Sequence, residues 1–371
     1  MAQKTALGLG LMAQASSRAA KHGCRSHSQK TPGCCCLLLS TCCLSPALIA
    51  PQRHQRPSPA RRVPLAAGAR PGRQEIRALV TDVDGTLFPF GTCMQLSPGN
   101  AAALQDALDA GVHVCLATGR IPGPWSDAIR AQFPRLGPGV FGNGALVLGP
   151  GGEVLSEVTL PPEAVTAVRS YTAGGLAGGA GRLSLLAATR WEAAGQAYGS
   201  LRYLELAPHG PTWTTRLVKS AAEPDAVLMQ DFSCIEGRAI YKFVIFTNPK
   251  DPAWASMPDV VTALRTELQS TGAEVLDCGP KQCEILPPGV NKGAGVLRML
   301  EHLDDISPAA IVACGDAEND VEMLKLAGVG VAMGNAKPQA MAVADEVVAS
   351  NKEDGVAEAV RRFVLQQDAA A

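Results

Sequence analysis

Asp82 and Asp84 stand two residues apart at the end of an apolar, β-branched run, in the order Asp82-Val83-Asp84-Gly85-Thr86. Residues i and i+2 of a strand project to the same side, so this spacing aims both carboxylates at one place. Two carboxylates so close repel, and a divalent cation held through oxygen is the natural relief. A further carboxylate, Asp316, opens Gly315-Asp316-Ala317-Glu318-Asn319-Asp320 after a second apolar run, Ala310–Cys314. Asp316 with Asp82 would complete an oxygen cage for Mg²⁺. The competing calcium loop lacks the EF-hand spacing and its closing Glu. Two other motifs suit an anion. Thr118-Gly119-Arg120 offers a hydroxyl, a close-approach glycine and a guanidinium. Lys292, in Asn291-Lys292-Gly293, stands at a helix start, where the dipole also favours negative charge. Each motif alone has an ordinary reading: Asp-Gly makes turns, Thr-Gly-Arg ends strands, and a lone Lys faces water. Together, in this order and at strand ends, they converge on phosphoryl transfer.

Such groups meet when strands of one sheet end at a common edge. Ile76–Val83 reads as a buried strand, Asn100–Ala110 as a helix closing at Gly111, and Val112–Ala117 as a second strand; residues 139–148 contain a third. The rhythm resumes with a helix from Asn291 to His302, a strand at Ala310–Cys314, a helix at Asp320–Ala327 and a strand at Val329–Met333. Strand, helix, strand with apolar strands means βαβ units: an α/β, Rossmann-like parallel-sheet core with helices on both faces. The carboxyl edge of such a sheet is the usual ligand crevice. Residues 150–288 break the rhythm. They hold strand candidates at Arg182–Ala188 and Ala239–Phe246, helix candidates at Glu163–Tyr171 and Pro258–Ser270, and a Gly-rich loop at 174–181. This reads as an α+β domain inserted into the first; elaboration of a single sheet is the alternative.

A chain of 371 residues has room for two such domains, and 47% hydrophobic with 18% charged residues supplies a real core. Its formal charge of −1 hides an asymmetry. Residues 1–74 contain no Asp or Glu but hold eleven of the 33 basic residues, with abundant Ser, Ala and Pro. That is how an organellar transit peptide reads, plastid before mitochondrion, and no fixed structure is expected of it. The apolar run Cys34–Ala50 within it is short for a membrane span, is interrupted by Ser40, Thr41, Ser45 and Pro46, and lies far in for a secretory signal. The remaining body carries 22 basic against 34 acidic residues, a net charge of −12 that argues against nucleic acid as partner. Six of the twelve cysteines fall in the leader, and the body has no CxxC pair, so neither a zinc knuckle nor a disulfide framework is expected. Cys115 and Cys314 read as small core residues.

Taken as a set, DVDGTL (Asp82–Leu87), TGR (Thr118–Arg120), NG (Asn143-Gly144), KG (Lys292-Gly293), GDAENDVEML (Gly315–Leu324) and Asp354-Gly355-Val356 resemble the haloacid dehalogenase superfamily of phosphatases, most closely its Cof-like branch. The resemblance covers nearly all of residues 76–362. Phe88-Pro89-Phe90 and Gly142 depart from the commoner pattern without removing a catalytic group. The resemblance implies that Asp82 is the nucleophile, forming an aspartyl phosphate, and that Asp84 is the general acid and then base. It further implies Mg²⁺ at Asp82, the Asp84 carbonyl and Asp316, with Asp320 in support. Val83, Thr118, Gly119, Lys292 and Asn319 would meet the phosphoryl oxygens, and Arg120 and Asn143 would line the pocket. The interval from Thr86 to Thr118 is too short for an inserted domain, whereas that from Asn143 to Lys292 accommodates one. This resembles the C2-type cap arrangement, with a core at 75–149 and 289–371 and a cap at 150–288. The implied partner is a small phosphomonoester, with neither nucleic acid nor membrane. A phosphohexomutase-type transferase is the rival enzyme, and a non-catalytic phosphometabolite-binding regulator the rival from another class.

Overall fold

The computed structural model describes residues 75–89, 95–176, 183–190, 201–206, 223–224, 226–248, 250 and 252–366. The leader, Cys93 and residues 177–181 of the Gly-rich stretch therefore lie outside the described residues.

Five strands form the central sheet: β1 (Ala78–Thr81), β2 (His113–Leu116), β12 (Ile311–Gly315), β13 (Val329–Ala332) and β14 (Glu346–Val347), in the order β14-β13-β12-β1-β2. Every pairing is parallel, as the βαβ pattern predicts. All four residues of β1 are buried, which suits its place between β12 and β2. Its helices pack in two groups, α1 (Pro98–Asp109) against α8 (Gly355–Ala359), and α5 (Lys292–Leu300) against α6 (Val321–Leu326), which also meets α7 (Pro338–Val343). Ser97 caps α1 by accepting from the Asn100 amide at 3.1 Å, and Asn291 caps α5 by accepting from the Ala294 amide at 2.8 Å. Asp354, part of the family-like set of motifs, sits at the start of α8 and accepts from the Ser97 hydroxyl, so it ties α1 to α8 rather than serving the sheet edge.

Residues 139–148 hold two strands rather than one. β3 (Gly139–Phe141) and β4 (Leu146–Leu148) form a hairpin, and β5 (Val154–Glu157) pairs with β4. The chain reverses at Gly142-Asn143-Gly144, where Asn143 has φ +57° and Gly144 φ +104°. A side chain at Gly144 would place its Cβ 2.2 Å from the Asn291 carbonyl oxygen, so only glycine fits there. The short helix α2 (Pro124–Gln132), unforeseen in the sequence, precedes this hairpin.

Between β5 and α5 the chain builds a six-stranded sheet from β6 (Ser184–Arg190), β7 (Leu201–Leu206), β8 (Val227–Met229), β9 (Ile240–Phe246), β10 (Glu274–Asp277) and β11 (Gln282–Leu286). Its order is β10-β11-β9-β6-β7-β8, antiparallel except for β7 with β8. Helices α3 (Pro162–Leu176) and α4 (Met257–Glu267) cover one face. Ala164 and Val168 of α3, with Val260, Val261 and Leu264 of α4, bury Leu185, Ala187, Phe243 and Ile245. The alternate residues Leu186, Val244 and Phe246 point the other way and join the core of the parallel sheet. This is the expected α+β cap: helices outside, a bare sheet face toward the strand tips. Among the described residues no helix is long and apolar enough to cross a membrane.

Candidate active site

β1 carries Asp82 and Asp84 just past its carboxyl end, and its neighbour β12 does the same for Asp316. Between them the chain turns at Gly85, where φ is +84° and an added Cβ would lie 2.4 Å from an Asp316 carboxylate oxygen. Glycine is thus what lets the two acidic strand tips approach. Thr86 Oγ1 donates to Asp316 Oδ1 at 2.9 Å. Oxygens of Asp82, Asp316 and Asp320 lie within 4.8 Å of one another, and all three residues are buried. Lys292, at the first turn of α5 and 1% exposed, donates to Asp82 Oδ1 at 2.5 Å and to Asp320 Oδ1 at 2.6 Å. Asp320 Oδ2 accepts from the amides of Asp316 and Ala317, both at 2.9 Å.

The electrostatics follow from this crowding. Burial pushes the Asp82 carboxyl well above the usual carboxylate range, with Asp320 adding to the effect and Lys292 opposing it. Burial, then Asp320, pushes Asp316 up to about 6. For Lys292, burial works against the charge, but Asp320 and Asp82 outweigh it and raise its pKa. Three buried carboxylates sharing one ammonium leave excess negative charge on hard oxygen donors, which fits a divalent cation such as Mg²⁺. Asp320 has both oxygens already engaged, so its geometry suits holding Lys292 and the 316–317 turn rather than direct ligation.

The Thr118-Gly119-Arg120 turn follows β2. Asn143 docks on it: the Thr118 carbonyl accepts from the Asn143 amide at 3.0 Å, and the Arg120 carbonyl from Gly142 at 2.8 Å. Asn319 Nδ2 donates to Asn143 Oδ1 at 2.9 Å, and Asn143 Nδ2 donates to Glu284 Oε2 at 2.8 Å. Glu284, on β11, also accepts at 2.8 Å from Lys242 of β9, whose ammonium donates to the Gly119 carbonyl at 2.7 Å. Lys242 and Glu284 are 2% and 8% exposed at their side chains. One hydrogen-bonded chain therefore runs from the cap sheet to the strand tips.

Asp84 meets Arg120, whose Nε and Nη2 donate to its two oxygens at 2.5 and 2.6 Å. Arg120 also lies 3.5 Å from Glu223 through Nη1 and stacks 5.7 Å above the Trp125 ring. These groups border a cavity of about 420 Å³ that reaches from the strand tips to the bare cap face. Asp82, Asp84, Thr118, Gly119, Arg120, Asn143 and Asn319 line it. Lys292, Asp316 and Asp320 connect to it through Asp82, whereas the Val83 side chain is buried in the core. Sequence reading missed Thr86, Glu223, Lys242 and Glu284. Lys242 and Glu284 had a signal, a lone charge inside the apolar runs IYKFVIF and QCEIL; Glu223, in AAEPDA, had none.

Comparison with known proteins gives likenesses in sequence, in fold and to a family model. The chain is 31% identical over 309 residues to a protein of Arabidopsis thaliana named chloroplastic endoribonuclease YBEY, covering 80% of this chain and 48% of that one. Over 92 residues it is 40% identical to a 5-amino-6-(5-phospho-D-ribitylamino)uracil phosphatase of Bacillus subtilis, covering 25% of this chain and 36% of that one. The chain thus spans less than half the length of either relative. In fold it matches a haloacid dehalogenase-like hydrolase from Bacteroides thetaiotaomicron with a TM-score of 0.64 and 24% identity, covering 78% of this chain and all of that one. The family model of haloacid dehalogenase-like hydrolases matches residues 79–174 and 215–360, a span that takes in every strand-tip motif, and the chain belongs to that family.

Proposed function

We propose that this protein is a Mg²⁺-dependent phosphatase that hydrolyses small phosphomonoesters through an aspartyl phosphate on Asp82. The observation that carries it is the buried trio of Asp82, Asp316 and Asp320 at the sheet edge, with Lys292 bridging Asp82 to Asp320 and Asp84 two residues beyond the nucleophile. Mg²⁺, held by Asp82, the Asp84 carbonyl and Asp316 with Asp320 behind them, would neutralise the charge that otherwise keeps a phosphate dianion from these carboxylates. Lys292 holds the Asp82 carboxylate in place while an Asp82 oxygen attacks phosphorus and the ester P–O bond breaks. Asp84 gives its proton to the departing oxygen. In the second step the Asp84 carboxylate takes a proton from water, which attacks the aspartyl phosphate and frees inorganic phosphate. The Val83 amide, Thr118, Gly119, Lys292 and Asn319 meet the phosphoryl oxygens, the positioning and charge stabilisation that this reaction chiefly requires. Arg120 orients Asp84, and one of its two hydrogen bonds must open for the proton to move. Asn143 sets the Asn319 amide through their 2.9 Å bond.

In this reading residues 75–149 and 289–371 form the catalytic core and 150–288 the cap that selects the substrate. β5, though inside the cap range, pairs with β4 and goes with the core hairpin. The acid-free leader is a plastid transit peptide, in keeping with the chloroplastic name of one relative. Fused to a fluorescent protein, residues 1–74 should carry it into plastids; fluorescence left in the cytosol would refute the address. The chemistry is tested on the body from Gly72 onward, with Mg²⁺, by phosphate release from sugar phosphates, nucleotides, pyridoxal phosphate and ribityl phosphates. Turnover lost with EDTA and with Asp82→Asn supports the reading. A folded Asp82→Asn protein that retains substantial activity would sink the covalent route, and turnover only in the presence of an added bisphosphate would favour the mutase.

A further inference from the structure

The steps above leave unused a carboxyl at the cavity. Glu223 borders the cavity beside Arg120 and Tyr203, with its side chain only 10% exposed. Oε1 lies 3.5 Å from Arg120 Nη1. Oε2 is shut off from solvent and has no hydrogen-bond partner among the described residues. A buried acceptor left unpaired costs about 1–3 kcal/mol, so such an atom in a binding cavity marks a place for a ligand's donor. Its position along the substrate is fixed by Arg120, a single guanidinium that touches Asp84 on one side and Glu223 on the other. Asp84 serves the ester oxygen, so Glu223 stands just beyond it, over the organic part of the ester rather than over the phosphoryl group.

We propose that Glu223 is the substrate-selecting residue: its Oε2 takes a hydrogen bond from a hydroxyl on the organic part of the phosphomonoester, a few bonds from the ester oxygen. The cap wall formed by Leu186, Val244 and Phe246 accommodates the carbon skeleton behind that hydroxyl. Burial holds the Glu223 carboxyl up to about 8, against the pull of Arg120, so near neutral pH it both donates and accepts, as a hydroxyl does. A second anionic group on the substrate finds no such reception. The cavity's cations among the described residues are already paired, Arg120 with Asp84 and Glu223, Lys242 with Glu284, and Lys337 with Glu318. The chemical class selected is a polyhydroxylated monophosphate with no second phosphate or carboxylate. This inference rests on the phosphatase reading above.

Three four-carbon esters test it: n-butyl phosphate, erythritol 4-phosphate and 4-phosphoerythronate, assayed for phosphate release by the wild type, Glu223→Gln and Glu223→Ala. The wild type should favour the polyol over both by roughly tenfold or more in kcat/KM, mostly through KM: the alkyl ester has no hydroxyl and leaves a buried group unpaired, and the acid, which keeps its hydroxyls, brings a carboxylate that meets only cations already paired. Glu223→Ala should collapse the preference over the alkyl ester to within about threefold. Glu223→Gln, which keeps the shape and can still pair a hydroxyl, should fall between. A wild type that turns over butyl phosphate or the acid as well as the polyol overturns the proposal without any variant. So does a Glu223→Ala protein in which all three rates fall by the same factor. If the wild type releases phosphate from the wider panel but not from erythritol 4-phosphate, the subsite alone falls; if it releases phosphate from neither, the phosphatase reading falls and takes the subsite with it; turnover of all three esters at a ratio unchanged by Glu223→Ala also removes the subsite alone.

Discussion

Replacing Lys292 by Met tests the site's electrostatic design. The side chain is 1% exposed, and its partners Asp82 and Asp320 are 6% and 0% exposed. With Asp316, three buried carboxylates share one ammonium. The fully ionised cluster carries −2; the variant raises this to −3 and leaves two buried carboxylates without their counter-charge. Removing one partner of a buried ion pair costs about 3–5 kcal/mol, and Met adds little back beyond its packing. For a body of this size that lowers Tm by roughly 6–10 °C. Circular dichroism melts in EDTA at pH 7 read the loss directly. Two further arms separate electrostatics from a simple packing defect. Mg²⁺ should raise the variant's Tm by more than the wild type's, because the ion meets a more negative site. Asp320→Asn in the Lys292→Met background should recover part of the loss, giving a coupling energy of about 1–3 kcal/mol between positions 292 and 320. A Lys292→Met cost under about 1 kcal/mol, or effects at the two positions that simply add, would refute this account of the cluster.

Gly85→Ala should destabilise the protein by at least about 2 kcal/mol in a denaturant melt, because its backbone has φ +84° and its Cβ would press on the Asp316 carboxylate; a change below 0.5 kcal/mol would mean that the strand tips relax freely. Glu284→Ala leaves Lys242 buried with only the Gly119 carbonyl and should cost about 3–5 kcal/mol. The double replacement Lys242→Met, Glu284→Leu should recover most of that stability and still lower kcat, since Asn143 loses its anchor; recovery of both would deny the relay a role. Glu223 predicts a pH effect. Its folded pKa of about 8 stands above the ordinary glutamate value of 4.5, so the fold favours the protonated form. The stability it contributes is complete below about 4.5 and is lost as pH rises through about 8. Arg120, Asp84, Lys242 and Glu284 face it in this titration. Glu223→Gln should flatten the wild-type fall in Tm across that window, and an unchanged slope would refute the assignment.

What could be read from the residues divides along a physical line. Asp82 with Asp84, Thr118 with Arg120, and Asp316 follow three apolar strands, and a parallel sheet brings such strand ends to one edge whatever the remaining details, so local pattern and topology suffice. Lys292 needed only a helix start. The cap obeys another rule. β7 carries Arg202 and Glu205 within LRYLEL, and β8 and β10 are half-exposed edge strands, so none shows a clean period of two. Their pairing is non-local, and with it the meeting of Lys242 and Glu284, which depends on β9 lying antiparallel to β11 with Glu284 opposite Val244. A charge in the middle of an apolar strand announces that a partner exists, but only the register says which. The Asp354-Gly355-Val356 motif shows the converse. It lies within the span the family model matches, yet its carboxylate joins α1 to α8, so a matching motif identifies chemistry only when the strand tips bring it to the cavity. In the proposed reading the cap selects the substrate, and it is therefore at Glu223, the position with no signal in the sequence, that specificity is best sought by experiment.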